Sequence, residues 1–265
     1  MQLYSIASGS SGNCIYVSDG TSGILVDVGI SMKRVREGLE KLECSLQDID
    51  AIFITHEHSD HISGLGPILR KVPIPVYATA DTIAAIWEKS NMKNISPDLF
   101  HSIRREEDIE LGNMGIHSIP ISHDAADPVC YTVEHEGKRI GIATDMGMYD
   151  DKIINNLGNC DAVLIEANHD INMLQVGPYP YALKMRILGD KGHLSNDTSA
   201  RLIREILHTD LQYILLGHLS KENNFPDLAY QTVLYELEKC ETWNQNQTEM
   251  LVAKRYEPTE LLTIK

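Results

Sequence analysis

A run of six residues, HEHSDH, carries four side chains of the types that bind metal ions in proteins. They are His56, His58, Asp60 and His61. The run follows an apolar segment predicted to be a buried strand, and alternate residues of an extended chain project to the same side, which groups His56 with His58. If a helix begins near Ser59, Asp60 and His61 lie in its first turn and face a second point. Imidazole favours zinc, and a carboxylate also admits manganese or iron. A polar loop with surface histidines is the alternative, but the spacing favours two adjacent metal ions.

The composition restricts what such a site acts on. The chain has 265 residues, of which 43% are hydrophobic and 23% charged. It has 23 Lys and Arg against 38 Asp and Glu, which gives a formal charge of −15. A surface this acidic excludes general coating of nucleic acid or of an anionic membrane, because both depend on Lys and Arg. Without a long linker, repeat or low-complexity segment, residues 1–265 are predicted to form a single domain.

Cysteine usage and the N-terminus indicate a cytoplasmic protein. The five cysteines are odd in number, widely spaced and without a CxxC pair, which excludes a disulfide framework and a thiolate zinc site. The N-terminal residues show no basic region followed by an apolar run. No apolar run approaches the roughly 20 residues of a membrane-spanning helix, so no membrane partner is expected.

Hydrophobic periodicity predicts an α/β fold. Strand signals form two groups, each followed by helical segments, among them a helix over 31–42 with Ser31 as its N-cap. Gly137 is predicted to turn a hairpin between two strands, and 90–108 is predicted to be a polar loop. Two sheets sandwiched between helices is one arrangement that fits, although periodicity alone does not select it.

The motif HEHSDH, with ILVDVG upstream, resembles the metallo-β-lactamase-fold hydrolases. The resemblance implies an αββα four-layer sandwich, with two mixed β-sheets flanked by helices and a dinuclear metal site at one edge of the sheets. It also implies three further ligands, each after a strand. His123 lies 62 residues past His61, Asp145 lies 22 residues further, and His218 follows after another 73.

The resemblance assigns each ligand to an ion. His56, His58 and His123 would hold the first ion, and Asp60, His61 and His218 the second. Asp145 would bridge them, and Asp27, at the end of ILVDVG, would lie beneath the site and accept a hydrogen bond from a ligand. An ordinary Asp at a strand end is the alternative for Asp27. The expected cofactors are two divalent ions, zinc or manganese, with iron also compatible.

The chemistry implied is hydrolysis by a metal-bound hydroxide. A water between two cations becomes acidic enough to act as a hydroxide near neutral pH, and Asp60 could accept its proton. The superfamily hydrolyses thioesters, lactones, lactams and phosphodiesters. Asp145 stands where many true β-lactamases have Cys, which argues against lactam hydrolysis.

A second histidine cluster favours phosphodiesters. His193 lies in KGHLSN, and Glu166 and His169 lie in LIEANHD. These segments resemble phosphodiesterase branches of the fold, where such a His contacts the scissile phosphate and a Glu orients it. His193 could then act as a general acid. A loop residue near a helix start is the alternative for His193, and structural hydrogen bonding is the alternative for Glu166 and His169.

The segment that runs up to His193 adds aromatic and cationic side chains. Tyr181, Lys184 and Arg186 could contact bases and phosphates, and a solvated helix face is the alternative. The loop SGSSGN near the N-terminus could hold a phosphate on its backbone N–H groups, and a plain turn between strands remains equally open.

Taken as a whole, the sequence resembles the YycJ/WalJ-type bacterial subfamily, whose members are regarded as 5′-to-3′ DNA exonucleases. The resemblance implies DNA ends, or another phosphodiester, as the substrate. Two other classes stay open: a small-molecule hydrolase of a cyclic phosphodiester, lactone or thioester, and a non-catalytic metal-binding partner protein. The sequence does not set the oligomeric state, and a dimer is compatible with it.

Overall fold

The computed structural model describes all residues 1–265. The strands are β1 Gln2–Ala7, β2 Cys14–Ser18, β3 Gly23–Val26, β4 Ala51–Phe53, β5 Val76–Thr79, β6 Phe100–Ile103, β7 Asp108–Leu111, β8 Met114–Pro120, β9 Val129–His135, β10 Lys138–Ala143, β11 Ala162–Glu166, β12 Tyr213–Gly217, β13 Glu249–Val252 and β14 Leu262–Thr263. The helices are α1 Met32–Glu40, α2 Ser59–Ile62, α3 Leu65–Lys71, α4 Ala80–Lys89, α5 Asp151–Leu157, α6 Ile171–Val176, α7 Tyr181–Leu188, α8 Asn196–Ile206 and α9 Pro226–Leu237. Single turns of 3-10 helix lie at 46–48 and 97–99.

The strands form two seven-stranded mixed sheets with the same internal pattern. The first sheet has the order β14-β1-β2-β3-β4-β5-β6 and the second has the order β13-β12-β11-β10-β9-β8-β7. In the first sheet β14 to β3 pair antiparallel and β3 to β6 pair parallel. In the second sheet β7 to β10 pair antiparallel and β10 to β13 pair parallel. Each sheet therefore gathers the carboxyl ends of its parallel strands at one edge.

Three apolar clusters correspond to the three interfaces of a four-layer fold. One contains residues of both sheets, such as Phe53 and Leu164, and lies between them. The second packs α1, α3 and α4 onto the first sheet, and the third packs α5, α8 and α9 onto the second. The strands β3, β4 and β11 are buried on both faces, which explains their continuous runs of apolar residues rather than an alternation. The α/β sandwich of two mixed sheets flanked by helices is thus confirmed.

Local signals account for several boundaries. Ser31 accepts a hydrogen bond from the Arg34 amide and begins α1, as predicted. Gly137, with φ +75°, turns the β9–β10 hairpin, also as predicted. The predicted loop over 90–108 is wrong, because β6 lies within it and adds parallel to β5. The sequence of β6 shows no strand pattern, because Ile103 is the only buried residue of this edge strand. No helix has the length and apolar character needed to cross a membrane.

Candidate metal centre

The HEHSDH run lies at the carboxyl edge of the first sheet. β4 ends at Phe53, and α2 begins at Ser59 with His58, whose backbone is extended, as its N-cap residue. The rings of His56 and His58 therefore meet, with their centroids 4.6 Å apart. A Cβ on Gly29 would lie 1.6 Å from the Asp60 carbonyl oxygen. Only glycine lets the chain after β3 pass this close to α2, and this passage fixes where Asp60 and His61 face.

The second sheet supplies the other predicted ligands. His123 follows β8, Asp145 follows β10 and His218 follows β12. The structure brings together three overlapping groups whose ligand atoms all lie within 4.8 Å of one another. The first consists of His56, His58 and His123, and the second of Asp60, His61, Asp145 and His218. The third shares Asp145 and His218 with the second and adds Glu166 and His193. The first two groups contain the seven residues that the resemblance to the metallo-β-lactamase-fold hydrolases implied as ligands, and their metal binding stays a prediction.

Asp145 belongs to the second group and also lies near the first. Its Oδ2 is 3.2 Å from His61 Nε2, and its Oδ1 is 3.3 Å from His218 Nε2 and 3.8 Å from His123 Nε2. Asp145 and His218 have positive φ angles of 61° and 53°. Such backbone is costly for residues other than glycine, and it clusters at functional sites. The conformation turns both side chains back over the ends of their strands.

Asp27 supports His61 from below. It also has a positive φ, of 58°. Its carboxylate accepts hydrogen bonds from the Thr55 amide and the Thr55 hydroxyl, each 2.9 Å long, and contacts His61 Nδ1 at 2.7 Å. Because Nδ1 is engaged there, the Nε2 of His61 faces Asp60 and Asp145. A carboxylate behind a ligating histidine fixes the orientation and tautomer of the ring.

The electrostatics keep most of the cluster in the form that binds a cation. Burial lowers the pKa of His56 and His58, and the neighbouring histidines lower it further. Burial opposes the charge of Asp145, but His218 and His61 outweigh it and hold the pKa of that carboxyl well below its usual range. His61 differs: burial lowers its pKa, but Asp27, Asp145 and Asp60 outweigh that and raise it well above the usual value. Neutral imidazoles and an ionised carboxylate are the forms that ligate metals.

The residues present fit divalent cations. His56 is fully buried, its Nδ1 lies 2.9 Å from the Thr55 hydroxyl, and its Nε2 has no hydrogen-bond partner. A buried polar nitrogen without a partner is costly, and a cation between His56, His58 and His123 would supply one. Nitrogen ligands dominate the first group, while the second adds two carboxylates. Both sets suit zinc, and the second also suits manganese or iron.

The third group contains a second carboxylate–imidazole pair. Glu166, the last residue of β11, is completely buried, and its Oε1 is 2.7 Å from His193 Nδ1. Its Oε2 accepts hydrogen bonds from the amides of Met146, at 2.9 Å, and Leu194, at 3.2 Å. One carboxylate therefore ties the loop of Asp145 to the loop of His193. Burial opposes the charge of His193, but Glu166 outweighs it and raises the pKa of His193 to about 9.

The structure distributes the predicted substrate residues unevenly. Arg186 pairs with Asp124, with Nη2 2.9 Å from Oδ1, and Asp124 Oδ1 in turn lies 3.5 Å from His123 Nε2. Lys184 instead donates to the Gln175 carbonyl, and Tyr181 is an exposed residue of α7. His169 is buried, and its ring nitrogens have no hydrogen-bond partner. Substrate contacts by these residues stay predictions.

Two residues that contact the candidate ligand histidines were not predicted from the sequence. The Thr55 hydroxyl lies within 3.3 Å of ring nitrogens of both His56 and His61. The side-chain amide nitrogen of Asn13 lies 3.2 Å from His61 Nε2. Position next to HEHSDH could have pointed to Thr55. Nothing in the sequence pattern places Asn13, at the end of SGSSGN, against a ligand 48 residues away.

Two mixed sheets between helices, with these ligands at one edge, define a metal-dependent hydrolase with the metallo-β-lactamase fold. The chain belongs to the family described as the Beta-lactamase superfamily domain, whose family model matches residues 23–214.

Two bacterial proteins named exodeoxyribonuclease are similar to this chain over most of their length. The chain is 39% identical over 239 residues to Exodeoxyribonuclease WalJ of Streptococcus pneumoniae serotype 2, which covers 90% of this chain and 89% of that protein. It is 36% identical over 234 residues to Exodeoxyribonuclease YycJ of Bacillus anthracis, which covers 88% of each. The crystal structure of Zn²⁺-bound PqqB from Methylobacterium extorquens has the same fold, with a TM-score of 0.70, 16% identity and coverage of 98% and 100%.

Proposed function

We propose that this chain is a metal-dependent phosphodiesterase that degrades DNA strands from the 5′ end. The observation that carries the proposal is the Glu166–His193 pair, held at 2.7 Å beside the ligands Asp145 and His218. Hydrolysis of a phosphodiester needs a group that protonates the leaving oxygen, and His193 is oriented for that task. The similarity to two proteins named exodeoxyribonuclease supports DNA as the substrate.

The ligands divide the work of holding the cofactors. His56, His58 and His123 would hold one divalent ion, and Asp60, His61 and His218 the other, with Asp145 shared. Bound there, two such ions supply an acidified water as nucleophile and polarise the phosphate. We propose zinc or manganese as the metals, with iron as a further occupant of the same ligand set.

The side chains of the protein move the protons. Asp60 is partly exposed, and its Oδ2 lies 3.6 Å from His61 Nε2 and 3.9 Å from His218 Nε2, so its carboxylate can accept the proton of the attacking water. His193 carries the proton for the leaving oxygen on Nε2, because its Nδ1 is engaged by Glu166. Attack on phosphorus then breaks the bond to the leaving oxygen, which takes that proton.

The test uses metal-loaded protein and single strands of DNA with a 5′-phosphate and a label at either end. The wild type should release nucleotides from the 5′ end. Asp60→Asn should abolish the release. Asp108→Asn, which alters an exposed Asp–His pair on the second sheet, should leave the release unchanged. No cleavage with Mn²⁺ or Zn²⁺, with the wild type equal to Asp60→Asn, would contradict the proposal.

The same experiment separates the competing class. Turnover of bis(p-nitrophenyl) phosphate with every polymer left intact would indicate a small-molecule hydrolase instead. Release of nucleotides from the 3′ end would support phosphodiesterase activity but contradict the proposed 5′-to-3′ direction.

A further inference from the structure

The loop Ser8–Asn13 connects the metal centre to a cation from the far end of the chain. At its start, Ser8 Oγ accepts a hydrogen bond from the His218 amide at 2.8 Å. At its end, Asn13 contacts His61. Between them, the exposed hydroxyls of Ser10 and Ser11 accept hydrogen bonds from Arg255 Nη1, at 3.3 and 3.0 Å. Arg255 Nη2 also donates to the carbonyl of Leu219, the residue after His218.

The guanidinium of Arg255 has no carboxylate partner within 4.0 Å, although the chain has 15 more acidic than basic residues. Arg34 lies beside it and is also without one: it donates to the Arg255 carbonyl at 2.9 Å and lies over the Tyr256 ring at 5.6 Å. Glu222 acts on Arg255 through its charge but forms no ion pair with it. Two guanidinium groups without carboxylates, in a chain this acidic, indicate a surface kept for an external anion.

The loop tip supplies further donors. The amides of Ser10 and Ser11 donate to no acceptor in the protein, while the flanking Gly9 and Gly12 amides are bonded within the loop. Successive free amides form a concavity that binds anions. A Cβ on Gly9, where φ is +154°, would lie 2.9 Å from Arg255 Nη1, so glycine at this position lets the guanidinium lie over the loop.

Aromatic faces lie next to these donors. Tyr256 follows Arg255 directly and is 63% exposed, and Phe225 is 49% exposed. Both line one surface recess together with Arg255. The two lysines of this recess, Lys221 and Lys254, pair with Glu222 and Glu257. Phosphate donors beside exposed aromatic rings are the usual combination for a single strand of nucleic acid, because bases stack on rings while cations hold the backbone.

We propose that Ser10, Ser11 and Arg255, here called the Arg255 cradle, bind a backbone phosphate of the DNA strand beside the metal centre. Tyr256 and Phe225 stack the neighbouring bases. Ser10 is two residues from Ser8, so its Cα lies within about 8 Å of the Cα of a residue that contacts His218. The cradle therefore holds a phosphate a short distance along the strand from the one that is cleaved. This inference rests on the proposed function, since it names the part of the substrate that this surface binds.

The first test measures cleavage of 5′-phosphorylated oligothymidylates of two to twelve nucleotides by the metal-loaded enzyme. In the wild type KM should fall as the strand lengthens, because longer strands reach the cradle. Arg255→Gln should raise KM for the longer strands about 10-fold, the loss expected for a charge-assisted bond, and flatten the dependence on length. Arg104→Gln, which removes an exposed guanidinium paired with Glu107, is the matched control.

A second variant guards against a folding defect. Ser10→Ala with Ser11→Ala removes two exposed hydroxyls, keeps the amides and should raise the same KM values by a smaller factor. If Arg255→Gln and the double variant keep the length dependence of the wild type, the cradle does not bind the strand.

A binding arm separates this inference from the proposed function. In the Asp60→Asn background, adding Arg255→Gln should lower the salt dependence of binding to dT8 by about 0.7 in log–log slope, the value for one phosphate on a single strand. That drop supports the cradle even if the wild type cleaves no DNA, which would overturn only the proposed function. An unchanged slope overturns the cradle even if cleavage is normal.

Discussion

Two buried carboxylate–imidazole pairs lie at the metal centre, one from each sheet, and they differ in what the second ring nitrogen faces. Asp27 follows β3 and holds His61, and Glu166 ends β11 and holds His193, each at 2.7 Å. The His61 side chain is fully buried and faces ligands, whereas the His193 side chain is 14% exposed. A third pair, Asp108 and His117, has the same 2.7 Å separation with an exposed carboxylate.

The comparison shows that the length of the bond does not define the role of a pair. The same contact can orient a metal ligand, orient a proton donor, or lie on a surface strand without a role at the site. Burial and the neighbours of the free ring nitrogen decide between these roles. Four experiments can break or sharpen this distinction.

The largest effect is expected at His193. His193→Ala should lower kcat for DNA about 10²- to 10⁴-fold, the usual contribution of a general acid. The bound metal should not change, because neither proposed ion depends on His193. Single-turnover kinetics combined with metal analysis of the same sample gives both numbers. Loss of metal from this variant would show that His193 is a ligand. The Glu166–His193 pair would then have the same role as the Asp27–His61 pair.

Asp27→Asn should act on the metal instead. It replaces the anionic partner of His61, so metal affinity should fall roughly 10- to 100-fold, while kcat should recover at saturating metal. Titration of metal-free protein by calorimetry measures the affinity. A loss of kcat that persists at full occupancy would show that Asp27 affects the reaction itself.

The third prediction concerns pH in the metal-free protein. The pKa of His193 is raised to about 9, so its pairing with Glu166 stabilises the folded state fully below about pH 6.5. That contribution is lost as the pH rises through about 9. Glu166→Gln should therefore remove on the order of 1–2 kcal/mol from the difference in unfolding free energy between pH 6 and pH 10. Urea unfolding in EDTA measures it, and equal pH dependence in both proteins would contradict the prediction.

The smallest effect is expected at the exposed pair. Asp108→Asn should change the free energy of unfolding by less than about 1 kcal/mol, since exposed ion pairs contribute little. Metal content and turnover should not change. Thermal unfolding measures the change in stability. A drop in metal affinity would contradict the prediction, because it would show that this exposed pair affects the metal site.

The candidate ligands were easier to identify from the sequence than the contacts that support them. A motif such as HEHSDH constrains ligand type and spacing locally, and the strands before Asp145 and His218 end in buried, mostly apolar segments. The contacts that hold the ligands are not local: Asn13 meets His61 across 48 residues, and Glu166 meets the Met146 amide across 20. Asp adopts positive φ more often than most residues, but residue type alone does not distinguish Asp27 or Asp145 from the other aspartates of the chain. The strand β6 was missed for a related reason, because an edge strand buries too little to show a pattern.

The origin of the candidate ligands would couple metal binding to folding. His56, His58, Asp60 and His61 come from the first sheet, and His123, Asp145 and His218 from the second. Neither sheet alone completes either group, so an ion binds tightly only after the two sheets have docked. An ion bound there would therefore link the two sheets, and every tenfold increase in free metal above its dissociation constant would add about 1.4 kcal/mol to the stability of the folded protein.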